Sequence, residues 1–310
     1  MDKKVLVAVD GSRASLMALD YVAVMEAAVV PDLWVTLFHV EEAVPHALRR
    51  EMEKRPESFH RLKAMEDRIA QRTAKILESS RQRLLDAGLD PAKVECAHQA
   101  RGMGLARDIV FRGEHGNYDA VVLGRRGLSK VEEMFLGSVT NKVVQHASRV
   151  PVWVVGGLVK SCRILCAVDA SEGSIRAVDH LGFMLSGNKD CRVTLFHAGP
   201  NLSALKALDM EPGHTGLLSQ DIMRDDLARM AAFYEEARRL LAQSGLEPDQ
   251  IEMISRESSG VAKAIMEQLR QGQYGTVVLG RRGEGQAFWL GHVSDRILKY
   301  CQEAAVWVVG

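Results

Sequence analysis

Short runs of β-branched and apolar residues alternate along this chain with longer stretches of helical period, the pattern of a parallel sheet with helices packed on its faces. These runs predict strands near residues 3–9, 34–39, 93–98, 119–124 and 151–155, and again near 162–168, 192–197, 250–255, 275–280 and 305–309. Between two of the later strands, Met223, Leu227, Met230, Tyr234, Ala237 and Leu241 step alternately by four and three residues. That is the stripe of an amphipathic helix, and it places these Met and Leu side chains in the core. Five strands with four intervening helical regions predict a doubly wound α/β sheet. Such sheets bind ligands beyond the carboxyl ends of their strands, where strand order reverses.

The pattern occurs twice because the sequence is nearly duplicated. Residues 5–12, VLVAVDGS, return at 164–171 as ILCAVDAS; TLFH at 36–39 returns unchanged at 194–197, VVLGRRG at 121–127 at 277–283, and VWVV at 152–155 at 306–309. The offset shrinks from 159 between Asp10 and Asp169 to 154 between Val152 and Val306, so the second copy has lost residues in its loops. A period this long is a whole domain copied once, and the length of 310 residues suits two domains of ~150. The expected boundaries are 1–156 and 160–310, with the seam near Gly156-Gly157. So short a junction implies domains packed closely rather than tethered.

Composition narrows the function. Forty basic and forty acidic side chains cancel, so no global field draws the protein onto nucleic acid or anionic lipid. Aromatic residues at 5% are too few for a base-stacking platform. No run approaches the ~18 apolar residues of a membrane span, and the start Met1-Asp2-Lys3-Lys4 leads into a run too short for a signal peptide, so a cytoplasmic protein is expected. The five cysteines, Cys96, Cys162, Cys166, Cys191 and Cys301, show no CxxC and no zinc-type spacing, and read as packing residues.

Candidate chemistry sits at strand ends. Asp10 ends the first strand and is followed by Gly11 and by Ser12, placed to cap the next helix. A carboxylate there suits a ligand's ring or sugar, though Asp-Gly-Ser is also an ordinary turn. After the fourth strand, Gly124 and Gly127 let main chain approach a ligand where a Cβ collides. After nine intervening residues Gly137 precedes a helix start at Ser138, Val139 and Thr140, where bare amides and hydroxyls suit phosphate. A tight connection with a serine cap explains an isolated copy equally well. Arg125-Arg126 and Arg281-Arg282 read equally as phosphate contacts or solvated loop charges. Lys130 lies within reach of a β- or γ-phosphate, and Glu132 and Glu133 either orient water or are simply solvated. Walker A, the dinucleotide fingerprint and the G-x-S-x-G elbow are absent from the sequence. His39 and His197 occupy equivalent strand ends and read as half-buried structural residues with a satisfied ring nitrogen.

With these residues in view, the chain resembles the universal stress protein family in its tandem form, over essentially all of both halves. Gly124, Gly127, Gly137 and Ser138 meet that family's G-x2-G-x9-G-[ST] signature at every spacing. The resemblance implies an adenine nucleotide α-hydrolase-like fold with sheet order 3-2-1-4-5. It implies ATP, with Mg2+, as the ligand: Asp10 and the Val40 backbone on adenine, Gly124 and Gly127 along the ribose and α-phosphate, and Gly137, Ser138, Val139 and Thr140 on the remaining phosphates. Ala8, Val9, Leu123 and Lys130 complete the expected site, with no catalytic residue and no metal held by protein side chains alone. The domains are expected to pair through residues 151–155 and 305–309 within one chain, and a homodimer of chains is compatible with this. The second half carries the equivalents Asp169, Ala198, Gly280, Gly283, Gly291, His292, Val293 and Ser294, but only seven residues separate Gly283 from Gly291, and His292 replaces the hydroxyl. Its nucleotide site is therefore expected to be weakened, altered or lost.

The expected function is a nucleotide-responsive stress or signalling module rather than an enzyme. A slow ATPase or nucleotidyl-transfer enzyme, and a scaffold that has given up nucleotide, are the alternatives. Segments 41–61 and 199–220 differ most between the halves and are candidate partner surfaces.

Overall fold

The computed structural model describes residues 2–30, 32–44, 46–54, 58–126, 136–157, 159, 161–201, 215–281 and 290–310. The chain divides into two compact units, one drawn mostly from residues up to Val155 and the other mostly from Gly156 onward. In the first, strands β1 (Lys3–Ala8), β2 (Leu33–Glu41), β3 (Val94–Ala100), β4 (Ala120–Gly124) and β5 (Val152–Val155) alternate with helices α1 (Arg13–Ala28), α2 (His46–Glu53), α3 (Phe59–Asp86), α4 (Leu105–His115) and α5 (Ser138–His146). In the second, β6 (Ile164–Val168), β7 (Val193–Pro200), β8 (Ile251–Ser258), β9 (Thr276–Gly280) and β10 (Ala305–Val309) alternate with α6 (Glu172–Leu185), α7 (Thr215–Gln243), α8 (Val261–Gln271) and α9 (His292–Tyr300).

All ten strands expected from the hydrophobic runs are present. Within the first unit the order is β3-β2-β1-β4-β5 and within the second β8-β7-β6-β9-β10, parallel throughout. Each half is thus a doubly wound sheet of order 3-2-1-4-5, and strand order reverses beside its first strand. The central strands are continuous apolar runs because helices cover both of their faces. Val5, Leu6 and Val7 of β1 and Leu165 and Cys166 of β6 are fully buried.

The duplication extends to core packing. Trp153 on β5 and Trp307 on β10 are wholly buried, and each takes the edge of a ring from the unit's first helix: Tyr21 at 6.3 Å and His180 at 5.7 Å. The stripe read on residues 223–241 is rotated from its expected position. Met230, Phe233, Ala237 and Leu241 form the buried line, whereas Leu227 is 59% exposed. Asp226, one residue before Leu227, lies on the inward line and is only 8% exposed. None of the five cysteines is in a disulfide; burial pushes the Cys166 and Cys191 thiols up to about 12, which makes them inert packing groups.

Burial also pushes the His180 imidazole down to about 3 from its ordinary 6.5. Between those values the unfolded chain binds the extra proton and the folded chain does not. The stabilisation from the neutral ring is therefore complete above pH 6.5 and is lost as pH falls toward 3. Replacing His180 by tyrosine, the residue at the equivalent place in the other half, is expected to remove about 3 kcal/mol of the stability difference between pH 7 and pH 4. Urea unfolding at both pH values reads this difference whatever the variant's stability at neutral pH.

Candidate functional site

A cavity of about 420 Å³ opens at the carboxyl ends of β1, β2 and β4, within the ~300–1,000 Å³ of small-molecule sites. Its walls include Ala8, Val9, Asp10, Val40, Leu123, Gly124, Gly137, Ser138, Val139 and Thr140. The fold therefore brings ten of the expected site residues to one place. Gly127 and Lys130, together with Glu132 and Glu133, lie outside the described residues.

The two helix starts beside this cavity differ in one respect. At α1, Ser12 Oγ accepts the Ser15 amide at 3.2 Å, the expected cap, while Gly11 makes the turn at φ +75°. At α5 the cap position is Gly137, which has no side chain to offer. The first main-chain bond of α5 runs from Asn141 N–H to the Gly137 carbonyl at 2.8 Å. The amides of Ser138, Val139 and Thr140 precede that bond and point out of the helix at its positive end. Gly137 itself does not add to this set, because its amide donates to the Arg125 carbonyl at 2.9 Å. Thr140 contributes its amide rather than its hydroxyl hydrogen, which the buried side chain donates to the Gly124 carbonyl at 2.9 Å.

Packing by itself requires glycine at position 124. A Cβ at this position would come within 2.4 Å of the Ala14 carbonyl carbon and oxygen on α1. The same holds at Gly280, whose Cβ would meet the Gly173 carbonyl carbon at 2.7 Å. These glycines let the first helix of each half lie against its fourth strand.

At the other end of the cavity, Asp10 Oδ1 accepts the Ser12 amide at 2.9 Å, and His39 Nδ1–H donates to the Val9 carbonyl at 2.7 Å. His39 has the satisfied ring nitrogen expected of it, and the ring also lines the cavity. Sequence reasoning missed the wall supplied by α3, where Arg68, Ile69, Arg72 and Thr73 face the site, and the contribution of Leu105 and Ile109 from α4. Spacing within 59–86 held the signal, since Ile69, Thr73 and Ile76 share a face with Leu84. The doubled arginines part company: Arg125 is 3% exposed, whereas Arg126 lines the cavity.

In the second half a smaller cavity of about 320 Å³ gathers Asp169, Ala198, Gly280, Gly291, His292, Val293 and Ser294; Gly283 lies outside the described residues. Gly291 caps α9 without a side chain, its amide donates to the Arg281 carbonyl at 2.9 Å, and Ser294 donates to the Gly280 carbonyl at 2.9 Å, as Thr140 does to Gly124. The far end has changed. Asp169 Oδ1 accepts the Ser171 amide at 3.1 Å and the hydroxyls of Ser171 and Ser174 at 2.5 and 2.6 Å. Ala170, in the place of Gly11, is held in the left-handed region at φ +59°, a strain of roughly 1–2 kcal/mol. His197 Nδ1 faces the Val168 carbonyl at 3.1 Å, and its Nε2 faces Asp226 Oδ2 at 3.1 Å.

Two doubly wound parallel sheets, each with a glycine-capped helix after its fourth strand, define a tandem α/β protein of the Rossmann-like class. Matches to the universal stress protein family model cover residues 1–156 and 162–309, and the chain belongs to that family. It is similar to the universal stress protein YxiE of Bacillus subtilis (strain 168), 29% identical over 157 residues that make up 50% of this chain and 99% of that protein. Among solved structures, a universal stress protein from Archaeoglobus fulgidus DSM 4304 is 20% identical with a TM-score of 0.65, covering 99% of this chain and 97% of that one. A putative universal stress protein from Pseudomonas aeruginosa UCBPP-PA14 is 16% identical with a TM-score of 0.53, covering 99% and 93%. Both share the fold across the two halves.

Because a Cβ at Gly124 would collide with the Ala14 main chain, Gly124→Ala is expected to destabilise the ligand-free protein by about 1–3 kcal/mol. Denaturant unfolding in the absence of nucleotide measures this. Unchanged stability would return Gly124 to a purely ligand-facing role.

Proposed function

We propose that the N-terminal half binds an adenine nucleotide, ATP with Mg2+, and that occupancy of this site makes the chain a nucleotide-responsive stress or signalling module. The observation that carries the reading is the uncapped start of α5: three main-chain amides at the positive end of a helix, opening on the same cavity as Asp10 and the β2 main chain. Phosphates meet the Ser138, Val139 and Thr140 amides, with Arg126 close by. The base lies at the opposite end, between Asp10, His39 and Val40, against Ile69 and Ile109. Among the described residues no three His, Cys, Asp or Glu side chains are grouped to hold a metal. The proposal therefore assigns Mg2+ to the ligand's own phosphates, where it neutralises charge.

Binding alone is enough for regulation. A ligand at 100 times its Kd for one arrangement of the chain, with no affinity for another, favours the first by ~2.7 kcal/mol. Gly127 and Lys130, which fall between β4 and α5 in the sequence, belong to the proposed site as well. No helix among the described residues is long and apolar enough to cross a membrane.

Ser138→Pro tests the cradle without breaking the helix. Proline is tolerated at the first helical position, and Gly137, at φ −58° and ψ 144°, already has the conformation that a following proline requires. The variant loses one amide and one hydroxyl. Titration calorimetry is expected to show ATP bound at least about tenfold more weakly, with adenosine binding unchanged. Undiminished ATP affinity in the folded variant contradicts the proposed phosphate site.

A further inference from the structure

The C-terminal site departs from the N-terminal one at a residue that sequence comparison of the glycine motif does not reach. Counting back along the long helices from matched core positions, Asp226 lies seven residues before Phe233 and fifteen before Leu241, and Ile69 lies seven before Ile76 and fifteen before Leu84. The two positions are equivalent. Ile69 is half-buried and faces the N-terminal cavity together with His39. Asp226 is 8% exposed, with Oδ2 on His197 Nε2 at 3.1 Å and Oδ1 accepting from Arg229 at 3.1 Å.

A second difference makes room for this carboxylate. Gly199 follows Ala198 on β7, and a Cβ added to it would approach Asp226 Oδ2 at 3.3 Å and His197 Nε2 at 3.4 Å. The equivalent residue in the other half is Glu41, whose own carboxylate is engaged with His98 Nδ1 at 2.8 Å. The pair Asp226 and Gly199 therefore replaces the pair Ile69 and Glu41 as a unit. In both halves the histidine anchors Nδ1 on the preceding strand's carbonyl, Val9 or Val168. Among the described residues, only in the second does a side chain also meet Nε2.

We propose that Asp226 fills the base end of the C-terminal site from within, taking on His197 the hydrogen-bond position that a ligand takes on His39, so that the residue at 69 or 226 decides which half accepts a base. The inference rests on the nucleotide reading of the N-terminal cavity. It assigns the asymmetry to the base end of the site rather than to the shortened loop or to His292. Asp169 points the same way, since its Oδ1 takes the Ser171 and Ser174 hydroxyls in addition to a main-chain amide, whereas Asp10 Oδ1 takes the Ser12 amide.

Adenosine, which carries no phosphate, separates the base end from the cradle. In the full chain, Asp226→Ile is expected to raise adenosine binding from one to two per chain by titration calorimetry. Asp226→Asn keeps a polar side chain of the same size within hydrogen-bond reach of His197 Nε2 and is expected to stay at one. The transplant in the other direction, Ile69→Asp with Glu41→Gly, leaves the C-terminal half untouched and is expected to weaken adenosine in the N-terminal half at least about tenfold. Wild-type stoichiometry in Asp226→Ile, or undiminished adenosine affinity in the transplant, overturns the proposal and leaves the nucleotide reading standing. A wild-type chain that binds neither ATP nor adenosine overturns both.

Discussion

A helix that begins at glycine has no side chain with which to satisfy the amides of its first turn, and the proposed site rests on that deficit. The serine caps of α1 and α6 show what this fold does when a helix start is to be closed: Ser12 and Ser171 each take an amide of the turn they begin. The glycine caps of α5 and α9 leave the same groups turned toward a cavity. The sheet gives the deficit its location. Parallel strands send their carboxyl ends to one edge, so the α5 amides, the Asp10 carboxylate and the end of β2 converge without any long-range charge, in a chain of zero formal net charge.

Duplication provides an internal comparison in which fold and site have diverged at different rates. The tryptophans of β5 and β10, the glycines that admit the first helix, and the hydroxyls returned to the Gly124 and Gly280 carbonyls are matched between halves. Each of these serves packing. The differences gather around His197, which meets Asp226 across the space that Gly199 leaves, and at Asp169, which accepts two serine hydroxyls that Asp10 does not. Such changes leave the sheet beneath unaltered, because these groups stand on strand ends, a helix start and the inner face of α7 rather than on the central strands.

Strand positions and the domain repeat were legible in the sequence because buried parallel strands are continuous apolar runs and because exact repeats such as TLFH and VVLGRRG need no interpretation. The reasons for particular residues were less legible. Gly124 and Thr140 sit in the nucleotide signature, yet one makes room for Ala14 and the other ties α5 to β4; spacing cannot distinguish a glycine needed by a helix from one needed by a ligand. The α3 wall was missed since its inner face carries Arg68, Ile69 and Arg72 at the cavity, a mixture that resembles a solvated surface. Leu227 was placed in the core and Asp226 passed over for the converse reason. A 3.6-residue period admits a rotation of one position, and a buried aspartate was hidden beside an exposed leucine.

The account stands on one working base-and-phosphate site per chain, in the N-terminal half. Purified protein, saturated with ATP, freed of excess by gel filtration and then denatured, should release close to one adenine nucleotide per chain. Two per chain would contradict the closed state of the C-terminal half, and none, from protein that is folded, would contradict the binding site itself.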